Sequence, residues 1–385
     1  MATLAPSRPA PLATTPGVRA AAVRHLGPHW YASVMGTAIV ANAGAALPVH
    51  VPGLRAVCTA VWALSLALLL TLLTARSAHW IHHRDRAREH LMDPAVAPFY
   101  GCLSMALLAV GAGTLTVGQD WIGLPAAVAV DTVLFTAGTV IGLAAAVAIP
   151  YLMVVHHRIE GASPVWLLPV VAPMVSAAVG PLLLPHLPAG QPQQTLLIAC
   201  YAMFGVSLLA TLVMLPLVFG RLVTGGPLPL ALTPTLFLVL GPLGQSTTAA
   251  NKFADAATGV LPAPYAHGFA AFAVLYGVPV MGFALLWLAL AGAMVVRARR
   301  QGMGFAMTWW AFTFPVGTCV TGAEGLAHHT GLAAYSALAV ALYVFLVAAW
   351  LVAGFHTVRG LFSGALLAAP GRGPVAPRPV TARTT

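Results

Sequence analysis

Ten apolar runs, at residues 28–47, 54–75, 97–118, 125–155, 164–184, 194–219, 230–250, 268–296, 303–323 and 332–356, dominate the chain. Each is long enough to cross a bilayer, for which roughly 20 apolar residues suffice. Hydrocarbon offers no partner to a free N–H or C=O, so runs of this kind must close their hydrogen bonds as helices. The fourth and eighth runs are long enough to tilt or to extend past the membrane. Asp, Glu, Lys and Arg make up only 7% of the 385 residues while 59% are hydrophobic, a balance no single soluble core requires. The expected fold class is an all-α polytopic membrane protein with ten transmembrane helices.

Charge supplies the orientation. With the amino terminus inside, sixteen of the eighteen Lys and Arg fall in cytoplasmic segments and only Arg55 and Lys252 lie outside. The positive-inside rule then puts both termini in the cytoplasm of a plasma-membrane protein. The net charge of +10 is spread as short clusters between apolar runs, which suits anchoring to the lipid bilayer and excludes nucleic acid as a partner. Residues 1–25 and 359–385 are rich in Pro and Arg and are expected to be disordered cytoplasmic tails around a membrane domain at 26–358.

The odd-numbered runs carry backbone breakers near mid-span: Gly36, Gly111, Gly113, Pro169, Pro173, Pro234, Gly241, Pro242, Pro315 and Gly317. Gly138, Gly142, Pro216, Gly277 and Pro279 in even runs blur the contrast. One reading is ordinary kinking for packing. The other is that the odd helices face an interior pathway, where freed carbonyls find partners or water.

Fixed charge is almost absent from the runs, and Asp131 and Glu324 read as interfacial. Selection for an anion would then rest on hydroxyls and on helix amino ends aimed at the axis. Pore-lining candidates are Gly36, Thr37, Gly111, Thr114, Pro173, Ser176, Pro242, Thr247, Pro315, Thr318 and Thr321. At 100° per residue Trp310, Phe314, Thr318 and Thr321 share one face of the ninth run. Phe314 is thus either a packing side chain or a hydrophobic gate ahead of a polar track.

The adjacent pairs His82–His83, His156–His157 and His328–His329 lack the i, i+4 spacing of a helical metal site and read as solvated interfacial residues. Cys58, Cys102, Cys200 and Cys319 stand singly in apolar runs and read as small buried hydrophobes. The chain has no nucleophile elbow, Walker loop, dinucleotide fingerprint or HExxH, so neither an enzyme nor a cofactor is expected. A membrane sensor without transport, or a cofactor-binding membrane enzyme resting only on the paired histidines, is the alternative of another class. The segment from Asn251 to His267 reads as an outside loop that either covers the mouth or is a tolerated insertion.

Four segments carry a likeness: Trp30 to Ile39, Pro164 to Gly180, Leu240 to Gln245 and Trp309 to Gly317. Through them the chain resembles the tellurite-resistance/dicarboxylate transporter family, whose members include TehA, malic acid transporters, sulfite efflux pumps and slow anion channels. The resemblance implies five helical hairpins in a quasi-fivefold arrangement, odd helices lining a central pore, and a homotrimer with one pore per subunit. It places the family's pore-occluding phenylalanine at Phe314. It implies transport of a small anion, a C4-dicarboxylate such as malate or else sulfite, chloride or nitrate, with a proton-coupled carrier as the alternative to a channel. Ala38 departs from the Met-Gly-Thr-Gly that the family often shows in its first helix.

Overall fold

The computed structural model describes residues 26–49, 51–157, 161–364 and 366. The arm at 1–25 and most of the tail after Phe362 lie outside these residues, as do Arg158, Arg372, Arg378 and Arg383. Within them the chain is helical and has no strand. The main helices are α1 (Tyr31–Ala46), α2 (Leu54–His82), α3 (Arg84–Met92), α4 (Gly101–Gly113), α5 (Leu124–Val155), α6 (Leu167–Val179), α7 (Gln191–Gly225), α8 (Leu240–Ala257), α9 (Ala263–Arg300), α10 (Phe314–Thr330) and α11 (Ala333–Phe362). Seven helical stretches among the described residues are long and apolar enough to cross a membrane. The first, seventh and ninth runs fall outside that set: α1 and α10 have only 16 and 17 residues, and α8, with 18, is too polar. The polar helix α3 lies between the second and third runs.

Burial divides the helices into two sets. The stretches Ala97–Ile122 and Pro164–His186 are 89% buried across their most apolar windows, whereas α2, α5, α7, α9 and α11 are only 22–39% buried. Most residues of α1, α8 and α10 are buried as well. The exposed side chains of the second set are apolar, such as Val133, Val147, Val213, Leu275 and Val344, which is what contact with lipid tails demands. Within the buried set α1 packs on α4, α4 on α6, α6 on α8, α8 on α10, and α10 back on α1. Each also packs on the exposed helix that follows it in sequence.

All five buried segments are built alike. Each opens with 3-10 turns, at Pro28–Trp30, Ala97–Tyr100, Pro164–Trp166, Leu230–Val239 and Met307–Phe312, before the α-helix begins. Prolines do not make the distinction, because Pro150, Pro216 and Pro279 lie inside exposed helices just as Pro173 and Pro234 lie inside buried ones.

Nor do the glycines break their helices. A Cβ at Gly36 would meet the Thr313 hydroxyl and the Trp310 ring, one at Gly317 would meet Ile39, and one at Gly244 would meet backbone atoms of Thr318 and Cys319. These glycines let α1, α8 and α10 approach closely, as small residues do between membrane helices. Within the ninth run Thr313, at φ −97° and ψ −81°, separates the 3-10 stretch from α10. The inner chain also loosens to a π-turn at Thr114–Gly118, past the end of α4. The expected outside loop begins later than Asn251, because α8 continues through Ala257 and is followed by a short turn before α9.

Candidate functional site

The five buried segments enclose a cavity of about 400 Å³, and the exposed helices contribute nothing to its lining. Its wall is built from the carboxyl-terminal parts of all five: Ile39 and Asn42 from α1, Ala112 and Thr116 around the π-turn, Ala178 and Leu182 at the end of α6, a longer series from α8, and Thr321, Glu324 and His328 from α10. In α8 the series is Gln245, Thr248, Asn251, Lys252 and Asp255, a polar stripe at helical spacing. That stripe was readable in the sequence as larger polar side chains recurring every three or four residues.

Hydrogen bonds hold this wall in place. The Asn42 Nδ2 donates to the Ala109 carbonyl at 2.9 Å, and the Asn251 Nδ2 donates to the carbonyls of Thr247 and Gly322 at 2.9 and 3.3 Å. Thr248 and Thr321 share a hydroxyl bond of 2.7 Å between α8 and α10. Each of Asn42, Gln245, Asn251 and Glu324 keeps one buried oxygen with no hydrogen-bond partner in the chain. Buried oxygens of this kind call for a donor, supplied by water or by a ligand.

The charges fall differently from the sequence expectation. Glu324 is not interfacial; it lines the cavity with only 8% of its surface exposed. Asp131 is also buried, at 2% exposure, but it closes on Gly111 between α5 and α4 and does not line the cavity. At the rim Lys252 Nζ lies 3.3 Å from Asp255 Oδ2, and His329 Nε2 lies 3.1 Å from Asp255 Oδ1. His328 is exposed as expected, whereas His329 is mostly covered and drawn into this cluster. His157 is likewise buried, with its Nε2 3.2 Å from the Leu91 carbonyl. The four cysteines are free and buried, as small hydrophobes would be.

Of the eleven pore-lining candidates Thr321 alone lines the cavity. Several others point toward the exposed helices. The Thr37 hydroxyl accepts from Trp350 Nε1 of α11 at 3.1 Å, the Thr114 hydroxyl accepts from Trp62 Nε1 of α2 at 3.0 Å, and the Ser176 hydroxyl accepts from Thr139 of α5 at 2.9 Å. Gly111 receives Asp131, Thr247 packs toward Gly277 of α9, and Pro242 lines a crevice with Leu212 of α7 and Pro279 of α9. Gly36 is taken up by the α10 crossing, Thr318 donates to the carbonyls of Pro315 and Leu240 at 2.7 and 3.3 Å, and Pro173 and Pro315 are buried in their helices. Hydroxyls and glycines in membrane helices serve interhelical contact at least as readily as they serve a ligand.

Phe314 is 3% exposed and begins α10. Seven residues, or about 700° of helical turn, separate it from Thr321, so both lie on one face with Phe314 some 10 Å toward the amino end. Trp310 leaves this face, because the Thr313 break and the preceding 3-10 turns rotate it toward α11, where its Nε1 donates to Thr357 at 3.0 Å. Thr313 makes no side-chain cap on α10. The first amides of α10 and the positive end of its dipole therefore start beside Phe314.

Relatives of this chain are transporters. It is 26% identical to an uncharacterized transporter of Methanocaldococcus jannaschii over 89% of this chain and 95% of that protein. It is 26% identical to the sulfite efflux pump SSU1 of Arthroderma otae over 88% of this chain and 91% of the pump, and 28% identical to that of Trichophyton rubrum over 78% and 81%. The family model described as voltage-dependent anion channel matches residues 25–358. A multi-pass helical chain matched over that length belongs to the SLAC1 family of voltage-dependent anion channels, whose members are transporters and channels and not enzymes.

Proposed function

We propose that the protein passes a small anion along the axis between its five buried segments, with Phe314 closing the path beneath the cavity. The reading rests on one observation above others: the cavity is lined from all five buried segments and from no exposed helix, and Phe314 lies below Thr321 on the face of α10 that lines it. The α10 amino end beside Phe314 gives an anion a favourable dipole where the path is narrowest. Ten membrane spans follow, as five hairpins in quasi-fivefold order around this axis, in the plasma membrane with both termini cytoplasmic. The likeness to sulfite efflux pumps favours a small oxyanion, and a homotrimer with one path per subunit fits the apolar outer faces. Reconstituted protein should carry sulfite, chloride, nitrate or malate in a liposome flux panel, and strict cation selectivity would overturn the assignment.

A second reading draws on Glu324. A carboxylate on the cavity wall with an unpartnered oxygen can bind a proton, which would make the protein a proton-coupled carrier of C4-dicarboxylates or other weak acids. Saturable malate accumulation driven by an inward proton gradient would select this reading over a passive channel.

A further inference from the structure

Asp255, His328 and His329 bring one carboxylate and two imidazoles to a single point at the cavity rim. His329 Nε2 is 3.1 Å and His328 Nδ1 3.7 Å from the same Asp255 Oδ1, and the three ligand atoms lie within 4.8 Å of one another. A tetrahedral zinc ion with bonds of about 2.0–2.2 Å holds its ligand atoms roughly 3.3–3.5 Å apart, so the two Asp–His separations bracket what the ion needs. We propose that this triad binds a divalent transition ion of the zinc class and that the bound ion restricts passage through the cavity mouth.

An ordinary ion pair accounts for less of the arrangement. The Asp255–His329 contact alone would be one, but His328 Nδ1, beyond hydrogen-bond distance at 3.7 Å, lies near the same oxygen. Lys252 engages the other oxygen, Oδ2, at 3.3 Å, which leaves Oδ1 to the imidazoles and fixes the carboxylate as an outer partner does in a metal site. The His329 Nε2 also lies 3.3 Å from the Asn251 carbonyl, a contact that its deprotonation on metal binding gives up. The two adjacent rings lie 5.1 Å apart in the last turn of α10, which ends at Thr330.

The ligands come from two walls of the cavity, Asp255 from α8 and the histidines from α10, and Asp255 and His328 both line it. An ion held there joins two neighbouring helices at the mouth, beside the path. Three protein ligands leave a coordination position for water or for an anion, as in open zinc sites. The site is reachable, since the His328 side chain is 76% and the Asp255 side chain 36% exposed.

The test is zinc titration of the purified, tag-free full chain by calorimetry, checked by equilibrium dialysis, beside liposome flux with and without Zn²⁺. One ion per chain is expected, with affinity at least tenfold weaker in His328→Gln and in Asp255→Asn, and unchanged in His82→Gln. Because His328 is exposed, its substitution leaves the metal-free melting temperature where it was, which separates ligand loss from misfolding. Absence of stoichiometric binding, or undiminished binding in His328→Gln, overturns the site. Zinc binding that leaves flux unchanged overturns its control of the mouth. The mouth control rests on the anion path proposed above, but the binding measurement does not: a chain that carries no anion would sink that path and still decide the metal site.

Discussion

Glu324 stands three residues beyond Thr321 on α10, and both line the cavity that all five buried segments enclose. A carboxylate therefore lies on the route assigned to an anion, and its protonation state sets the local field.

Anion flux is expected to rise as the pH on the cavity side falls, because ionised Glu324 repels a like charge and protonated Glu324 does not. Lys252, Asp255, His328 and His329 add to the field at the same end, and protonating either histidine acts in the same direction. Glu324→Gln should raise flux at neutral pH and flatten the part of the profile due to this group. If the protein is instead a proton-coupled carrier, the same variant abolishes accumulation driven by a pH gradient. Flux in liposomes at stepped pH separates the two.

Substituting the crossing glycines should destabilise the fold before it alters selectivity. A Cβ at Gly317 collides with Ile39 and one at Gly36 with Thr313, so Gly317→Val and Gly36→Val force α1 and α10 apart. Overpacking of this kind costs about 1–3 kcal/mol and sometimes more. Detergent melting curves should show both variants well below the parent, and a parent-like melting temperature would mean that the helices tolerate the shift.

Thr37 and Thr114 fasten inner helices to outer ones through Trp350 and Trp62. Thr37→Val and Thr114→Val should each lose about 1–3 kcal/mol, the cost of leaving a covered indole N–H without its acceptor. Anion preference should stay as it was in both. A changed permeability order would return these hydroxyls to the conduction path.

The fold and the site were legible in the sequence to different degrees. Apolar run length located the helices because hydrocarbon allows no other solution, and the breaker-rich odd runs correspond to the buried segments α1, α4, α6, α8 and α10. For the breakers the packing alternative fits the contacts. Gly36 and Gly317 provide close approach, and the feature the buried segments share is a 3-10 opening that no single residue type announces. Hydroxyls such as Thr37 and Ser176 pointed the wrong way because a helix has an outer face as well as an inner one, and sequence alone does not say which is which. Glu324 looked terminal in an apolar run, yet α10 continues to Thr330 and carries it into the cavity wall. The polar stripe of α8 from Gln245 to Asp255 was the readable signal that marked this wall.

The most direct test of the anion path is the flux of Phe314→Ala in liposomes, set beside Phe312→Ala. Removing a buried phenylalanine costs roughly 3–5 kcal/mol wherever it packs, so both variants should be less stable. Phe312 packs edge-on against Phe237 at 4.8 Å and lies before the Thr313 break, off the face shared with Thr321. The expected result is a several-fold rise in sulfite or chloride flux for Phe314→Ala and none for Phe312→Ala. Folded Phe314→Ala protein with parental flux would contradict closure of the path at Phe314.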